Sequence, residues 1–233
     1  MDAWKPSLNK LGIFATIHRL NPCFVAFREA QQELQRRFKH AQFEWLPFGI
    51  DIDTFHGGRD SRPIFAFWMG RRYEPLHEAL LEYCRSRNLR YVFREPSVFP
   101  SPEELGDIAS QTKYFVVTPP DLDDPVKTGG FSPLVMRYME GLAAGARLLG
   151  TLPKSGEYEE FLPVEAICQV APDGSDLARR LAEDADDAEG WAAVTRGQDL
   201  VRRHHSCAVR AEQIYDRIVR NEPIRLGRVD DGA

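Results

Sequence analysis

Short apolar runs alternate with longer segments in which apolar residues recur at helical spacing, and this alternation extends over most of the chain. Such runs are typical of buried strands, whereas the spacing of Leu76, Ala79, Leu80 and Tyr83 is that of an amphipathic helix. The alternation predicts an α/β fold with a Rossmann-like, doubly wound parallel sheet. We predict strands at 11–17, 43–46, 63–69, 89–93, 113–118, 146–149 and 166–170, and helices at 24–38, 75–86, 175–184, 188–204 and 208–220.

The predicted elements fall into two groups, separated by the turn-forming stretch from Gly57 to Ser61. Residues 1–57 supply one strand–helix–strand unit, which has too few elements to form a domain alone. Residues 58–222 are predicted to form a Rossmann-like domain, and 223–233 a loosely ordered tail. A half-sheet without its neighbouring domain is expected to expose an apolar face.

The composition limits the function classes. The 233 residues carry a formal net charge of −5, which argues against nucleic acid or an anionic membrane as the main partner. No apolar run approaches the ~20 residues of a membrane span, and the amino terminus lacks the apolar core of a signal peptide. The cysteines are far apart and form no CxxC pair, which argues against a zinc site and fits a reducing, cytoplasmic setting.

The segment from Gly129 to Gly145 carries the most informative pattern. Gly129 and Gly130 remove side-chain bulk, Ser132 is a preferred N-cap residue, and Pro133 suits the first position of a helix. We therefore predict a helix that begins at Pro133 and directs its free amides toward the glycine loop. Such a helix end attracts anions, and a phosphate is the expected ligand.

Charged residues near this helix and near a strand end could bind the same anion. Gly70, Arg71 and Arg72 directly follow a predicted strand, and two guanidinium groups can neutralise a diphosphate through paired hydrogen bonds. Arg137 and Glu140 are three residues apart and therefore share one helical face. Both features also fit a plainer interpretation, in which the first two arginines are solvated turn residues and the other pair is a surface ion pair.

Four sequence stretches occur in the order expected for a known family: LPFGIDIDTFH, MGRR, GGFSPLVMRYMEGLAAGARLLGT and RRHHSCAVRAEQIYDRIV. Together they resemble the carboxyl-terminal half of B-type, group 1 glycosyltransferases, in particular spore-maturation-protein-like members with an R-x-x-E-x-x-A-x-G core. The resemblance extends over about residues 45–219 and implies a single GT-B-type half with a short amino-terminal remnant. The matching positions are Arg137, Glu140, Ala143 and Gly145 of the core, and His205 and Arg210 of the last stretch.

The resemblance implies that residues 58–222 are a nucleotide-sugar-binding domain with a nucleotide-diphosphate sugar as donor, and that residues 1–57 are the remnant of an amino-terminal acceptor domain. Glu140 would accept hydrogen bonds from the ribose hydroxyls, because both carboxylate oxygens are acceptors. Backbone amides from Gly130 to Leu134 would hold the diphosphate, and the base would lie near residues 93–96. Arg71 or Arg72 would stabilise the leaving nucleoside diphosphate, so these arginines and Glu140 are the candidate catalytic residues. The candidate donor-binding residues are Gly70, Gly129, Gly130, Ser132, Pro133, Leu134, Arg137 and Glu140.

Three departures from the family pattern bear on activity. Ser132 stands eight positions before Glu140, where the family has a second, sugar-contacting glutamate. Pro75, Leu76 and His77 occupy the positions where a basic residue usually follows the arginine. The amino-terminal acceptor domain is largely absent. These departures leave open whether the chain is an enzyme, although a glycosyltransferase is favoured.

The favoured function is transfer of a sugar from a nucleotide-diphosphate donor to an unknown acceptor. The alternative is a non-catalytic module that binds a nucleotide or nucleotide sugar, or a subunit of a split glycosyltransferase. That alternative implies a homo-oligomer or a separate acceptor-domain partner, and another doubly wound phosphate-binding enzyme is the third hypothesis. No cofactor or metal is expected, because a helix dipole and arginines can carry the diphosphate charge. We interpret the acidic loop of Asp121, Asp123 and Asp124 as solvated.

Overall fold

The computed structural model of the protein describes residues 4–58, 61–93 and 101–229. The strands in these ranges are β1 (Cys23–Val25), β2 (Phe43–Trp45), β3 (Ile64–Trp68), β4 (Tyr91–Phe93), β5 (Thr112–Val117), β6 (Arg147–Gly150) and β7 (Ile167–Gln169). The α-helices are α1 (Leu8–Ile17), α2 (Arg28–Arg37), α3 (Glu74–Ser86), α4 (Pro102–Ser110), α5 (Pro120–Asp123), α6 (Pro125–Thr128), α7 (Met136–Ala143), α8 (Glu157–Phe161), α9 (Leu177–Asp184), α10 (Ala188–His204) and α11 (Cys207–Tyr215).

The main sheet contains five parallel strands in the order β4–β3–β5–β6–β7. The chain winds in one direction from β3 to β4 and in the other direction from β5 to β7. Helices cover both faces of this sheet, so the predicted α/β fold with a doubly wound, Rossmann-like sheet is confirmed. The direction of winding reverses between β3 and β5, and in such sheets ligands bind outside the carboxyl ends of the strands at this position.

Alternating side chains of the central strands enter two separate apolar layers. Ala66 and Trp68 of β3 pack with residues of α3 and α9, whereas Phe67 packs with residues of α7 and α10. This separation follows from strand geometry, because successive side chains point to opposite faces of the sheet. Burial on both faces explains why these strands appear in the sequence as continuous apolar runs.

Gly141 sets the position of α7 on the sheet. A Cβ atom at this residue would lie 2.6 Å from a methyl carbon of Leu148 and 2.9 Å from Phe115. A larger residue would therefore push α7 away from β5 and β6. The close packing brings the start of α7 to the end of β3, where Arg137 donates a hydrogen bond to the carbonyl oxygen of Arg71.

The amino-terminal unit contains the two-stranded parallel sheet β1–β2 and the helices α1 and α2. The strand predicted at 11–17 was wrong, because these residues belong to α1. Leu8, Leu11 and Ala15 are buried at helical spacing, while Ile13 and Ile17 are 52% and 69% exposed on the same helix. Apolar residues all round the helix conceal its period, which is why the run resembles a strand.

The other predicted strands agree with the structure to within two residues at each end. The helix predicted at 24–38 begins only at Arg28, because Cys23–Val25 pairs with Phe43–Trp45. The loop predicted after β5 contains the short helices α5 and α6. Part of the predicted linker, residues 59 and 60, lies outside the described residues, as do residues 94–96 of the predicted base site.

Two buried basic residues, His205 and Arg210, connect the carboxyl-terminal helices with the segment after β2. Arg210 donates hydrogen bonds to the carbonyl oxygen of Pro47 (2.8 Å) and to Nδ1 of His205 (2.6 Å). Burial lowers the pKa of His205 to about 3, so its ring is neutral and Nδ1 can accept this bond. Ile50 and Ser206 form a parallel bridge at the same junction. His205 and Arg210, the two family-matching residues of the last sequence stretch, therefore connect the amino-terminal unit with the rest of the protein.

In the described ranges, no helix combines the length and the apolar character that crossing a membrane requires. The same residues contain no group of three or more histidine, cysteine, aspartate or glutamate side chains placed to hold a metal ion. The cysteines are free thiols, and burial raises the pKa of Cys84 to about 11 and of Cys168 to about 12.

Candidate functional site

The candidate site lies at the carboxyl ends of β3 and β5, together with the start of α7, and we name it the β3–β5 crevice. Gly70 lies two residues after β3 in a left-handed conformation (φ 82°), which glycine adopts without strain. A Cβ atom there would lie 3.5 Å from the Arg137 guanidinium. Arg137 Nη1 donates to the carbonyl oxygen of Arg71 at 3.3 Å. The structure thus brings together three of the predicted residues, Gly70, Arg71 and Arg137.

Two carboxylates at the end of β5 pair with these arginines. Asp124 lies 3.2 Å from Nη1 of Arg71, and Asp123 lies 3.7 Å from Nη1 of Arg137. Burial raises the pKa of Asp123, whereas the Arg137 charge and a hydrogen bond from Thr118 oppose this rise. The prediction of a solvated loop was wrong for Asp123, whose side chain is 3% exposed, and neither ion pair was predicted. Their position just after a central strand of a doubly wound sheet was the signal that could have found them.

The helix of the glycine-rich segment begins later than the sequence predicts. Its first residue is Met136 and its N-cap residue is Val135, so the prediction of Ser132 as N-cap and Pro133 as first helical residue was wrong. Ser132 instead uses its hydroxyl oxygen to accept a hydrogen bond from the Lys154 backbone N–H at 3.1 Å. The physical reason is a set of contacts with distant residues, which hold the backbone before α7 in an extended course.

Two carboxylates accept hydrogen bonds from backbone N–H groups that we predicted to bind the diphosphate. The Ser132 N–H donates to Glu29 at 3.1 Å, and the Leu134 N–H donates to Glu157 at 2.7 Å. Burial raises the pKa of both glutamates, and these backbone hydrogen bonds oppose the rise. A diphosphate could reach these two amides only by displacing a carboxylate. The amides of the first turn of α7 are the better candidates.

Gly129 and Gly130 end α6. Both have positive φ angles, 62° and 88°, and Gly129 is the left-handed residue that closes this short helix. A Cβ atom on Gly129 would lie 2.8 Å from Cβ of Lys5, so the glycine also permits close contact with the amino-terminal unit. The Gly130 N–H lies 3.4 Å from the hydroxyl oxygen of Thr128. The glycine pair therefore shapes the loop before α7.

The first turn of α7 has the properties of an anion site. Its N-cap residue Val135 provides no side-chain hydrogen bond to the first amides of the helix. Uncapped amides and the helix dipole give this end a partial positive charge. Arg137 lies in the same turn, and its guanidinium donates to the backbone carbonyl oxygen of Arg71. The Arg71 guanidinium pairs with Asp124, next to the Asp123 carboxylate that pairs with Arg137.

Glu140 is a buried carboxyl one turn further along α7. The residue is 7% exposed, and its Oε2 atom has no hydrogen-bond partner in the described part of the chain. Burial raises its pKa to about 7, and the charge of Arg137 opposes this rise. Since buried polar atoms are nearly always hydrogen-bonded, an acceptor left open beside the crevice is a candidate contact for a ligand's donor group.

The sequence of residues 93–216 matches the model of the family described as glycosyl transferase-like. This match spans more than half of the 233-residue chain. The chain belongs to the glycosyl transferase-like family. No curated protein matches the sequence of this family member.

The fold of this glycosyl transferase-like protein is similar to that in the crystal structure of TarM. The TM-score is 0.56 at 9% sequence identity, and the match covers 89% of this chain and 45% of the TarM chain. At this identity the similarity concerns the fold alone. The predicted fold of a GT-B-type half is confirmed, and the chain spans less than half the length of the TarM chain.

Arg72, the second arginine of the predicted pair, has different neighbours from Arg71 in this glycosyl transferase-like fold. Its guanidinium lies over the ring of Phe93 at the end of β4, 4.8 Å from the ring centre, and 4.0 Å from Glu74. Arg72 therefore belongs to the β4 side of the crevice, whereas Arg71 faces Asp124 and α7. Of the two, Arg71 has the better position to meet an anion at the start of α7.

Proposed function

We propose that the chain binds a nucleotide-diphosphate sugar in the β3–β5 crevice and acts as the donor-binding part of a glycosyltransferase. The observation that carries this proposal is the open acceptor of Glu140. It lies one helical turn beyond an uncapped helix start, where Arg71 and Arg137 meet. A nucleoside diphosphate has matching groups, because a charged diphosphate adjoins a ribose with two neighbouring hydroxyls.

The diphosphate would bind Arg71, Arg137 and the first amides of α7. The pair between Arg71 and Asp124 is no obstacle, because its side chains are 40% and 36% exposed, and such pairs contribute about 0–1 kcal/mol. A diphosphate offers more acceptor oxygens than one carboxylate and can replace Asp124 at the guanidinium. During transfer the same arginines would stabilise the charge that develops on the leaving diphosphate.

The ribose would bind Glu140. A carboxylate accepts hydrogen bonds only, so its two oxygens suit two neighbouring hydroxyl donors. Because the pKa of Glu140 is raised to about 7, the carboxylate is only fully available above that pH. Ribose binding should therefore strengthen as the pH rises through 7.

Calorimetric titration with UDP, GDP and ADP tests this proposal. The wild-type chain should bind at least one of them, and Glu140→Gln should weaken binding about tenfold at about pH 8, since hydrogen bonds to charged groups contribute about 1.5–3 kcal/mol. Glu183→Gln on the exposed side of α9 is the matched control and should leave the affinity unchanged. Absence of nucleotide binding, or equal affinities of wild type and Glu140→Gln, would refute the ribose contact.

Binding without transfer is the second candidate function. Two observations favour it: Asp123 and Asp124 compensate the arginine charges, and Glu29 and Glu157 occupy the amides before α7. A non-catalytic module, or one subunit of a split enzyme, would bind the nucleotide sugar and leave it intact. Chromatographic detection of free nucleoside diphosphate from UDP-glucose, GDP-mannose or ADP-glucose separates the two functions, because only a transferase releases it.

A further inference from the structure

A second charged pair lies next to the β3–β5 crevice, on the loops that follow β5 and β6. The Lys154 ammonium donates to Oδ2 of Asp121 at 2.7 Å. The lysine side chain is 75% exposed, whereas the aspartate side chain is only 7% exposed. The other carboxylate oxygen, Oδ1, is buried and has no hydrogen-bond partner among the described residues. Burying an acceptor without a donor is unfavourable, so this oxygen indicates a ligand group that the chain alone lacks.

Thr151 supplies a second open polar atom at the end of β6. Its hydroxyl oxygen is buried and has no partner within the described ranges, and its carbonyl oxygen accepts from the Tyr138 hydroxyl at 2.7 Å. Burial raises the pKa of Tyr138 well above its usual value, and the charges of Asp123 and Asp121 add to the rise. The Thr151 N–H donates to the carbonyl oxygen of Val117 at the end of β5 at 3.2 Å. Asp121 follows this strand by four residues and pairs with Lys154, which follows Thr151 by three residues. The two open atoms therefore lie on the loops after two neighbouring strands.

This neighbourhood lies between the arginines and the amino-terminal unit. Asp121 shares a loop with Asp123 and Asp124, which pair with the arginines of the crevice. On the other side, the Lys154 backbone N–H donates to the Ser132 hydroxyl oxygen at 3.1 Å, and the Ser132 N–H donates to Glu29 of α2 at 3.1 Å. Any group attached to a diphosphate at the arginines and directed toward the amino-terminal unit would meet Asp121.

We infer that Asp121, Thr151 and Lys154 bind hydroxyl groups of the sugar that the nucleotide carries. This inference rests on the proposed donor function. Sugar hydroxyls both donate and accept, so they can donate to the open oxygen of Asp121, accept from Lys154 and do either with Thr151. In a nucleotide sugar the sugar is joined directly to the diphosphate, which matches the position of these side chains. The step is binding alone, and no bond is made or broken by these residues.

Comparing nucleotide sugars with free nucleotides tests the inference. UDP-glucose, GDP-mannose and ADP-glucose are titrated calorimetrically beside UDP, GDP and ADP. Asp121→Asn and Lys154→Met should each lower the affinity for the bound nucleotide sugar about tenfold, while the affinity for the free nucleotide changes less than about twofold. Lys154→Met concerns a mostly exposed side chain, so it stays informative even if Asp121→Asn fails to fold. Arg179→Met, on the exposed side of α9, is the control for loss of a surface charge.

The outcomes separate this inference from the proposed function. If the wild type binds nucleotides but both variants keep the wild-type ratio of sugar-nucleotide to nucleotide affinity, the sugar contact is refuted and the donor site stands. An equal loss of affinity for the nucleotide sugar and for the free nucleotide also refutes the sugar contact. Asp121 and Lys154 would then affect diphosphate binding or the fold. If the wild type binds neither kind of ligand, the proposed function fails and the inference fails with it.

Discussion

Two clusters of charged residues lie on the same sheet and differ in how completely their hydrogen bonds are satisfied. Around Arg147, which is 2% exposed, Asp184 and Asp187 each accept from the guanidinium at 2.6 Å, and the Glu165 carbonyl accepts at 2.7 Å. The Tyr114 hydroxyl completes the set by donating to Asp184 at 2.9 Å. In the β3–β5 crevice, by contrast, buried acceptor atoms remain open.

The difference separates a structural cluster from the proposed binding site. The donors of Arg147 meet acceptors from α9, the segment after it and the turn before β7, so the cluster joins these elements. Glu140 and Asp121 each keep a buried oxygen without a donor in the described chain. A fold retains such atoms at a cost, and a ligand that supplies the donors removes this cost. Strong burial of charge alone therefore does not identify a site.

The largest expected effect comes from breaking the satisfied cluster. Arg147→Met should lower the free energy of unfolding by about 3–5 kcal/mol, because Asp184 stays buried without its partner. Urea denaturation followed by circular dichroism measures this change. Arg179→Met, which removes an exposed arginine of α9, is the control and should change stability by less than about 1 kcal/mol. Similar losses in the two variants would contradict the assigned role of the cluster.

The same contrast explains what the sequence could predict. Strands β3 and β5 were found because they are apolar runs that end at Gly70 and Pro119. Gly70, Arg71 and Arg137 could be predicted as neighbours because they follow a strand end or lie near a helix start, which are local signals.

Long-range contacts account for the failures. The start of α7 was misplaced because Glu29, which is 103 residues from Ser132, and Glu157, which is 23 residues from Leu134, hold the preceding amides. Serine and proline favour a helix start locally, and these contacts override that preference. Arg147 and Asp184 are 37 residues apart, so no local pattern distinguished them from surface charges.

The next largest effect is the loss of folding stability that the buried, unpaired carboxylate of Glu140 causes. Because the folded-state pKa of Glu140 is about 7 against an ordinary value of 4.5, the folded protein holds a proton that the unfolded chain releases between these values. Stability from this group is therefore fully present below about pH 4.5 and is lost as the pH rises to about 7. Glu140→Gln should be more stable than wild type by about 3 kcal/mol at about pH 8, and the difference should vanish toward about pH 4.5.

Urea denaturation of both proteins across this pH range measures the prediction. The difference between the two curves isolates Glu140 from the other titrating groups. If the free energies of unfolding of the two proteins differed by the same amount at every pH, Glu140 would have an ordinary pKa. Its open carboxylate would then carry no energetic cost that distinguishes it from the Arg147 cluster.

The smallest effect on stability, with a clear effect on binding, is expected at Arg71. Its pair with Asp124 is exposed, so Arg71→Gln should change the free energy of unfolding by less than about 1 kcal/mol. The same variant should weaken UDP, GDP or ADP binding about tenfold, because it removes charge-assisted hydrogen bonds to the diphosphate. Arg71→Lys should restore part of the affinity through charge without the paired geometry. A loss of stability comparable to that of Arg147→Met, with unchanged nucleotide affinity, would place Arg71 with the structural cluster and leave the crevice without its diphosphate contact.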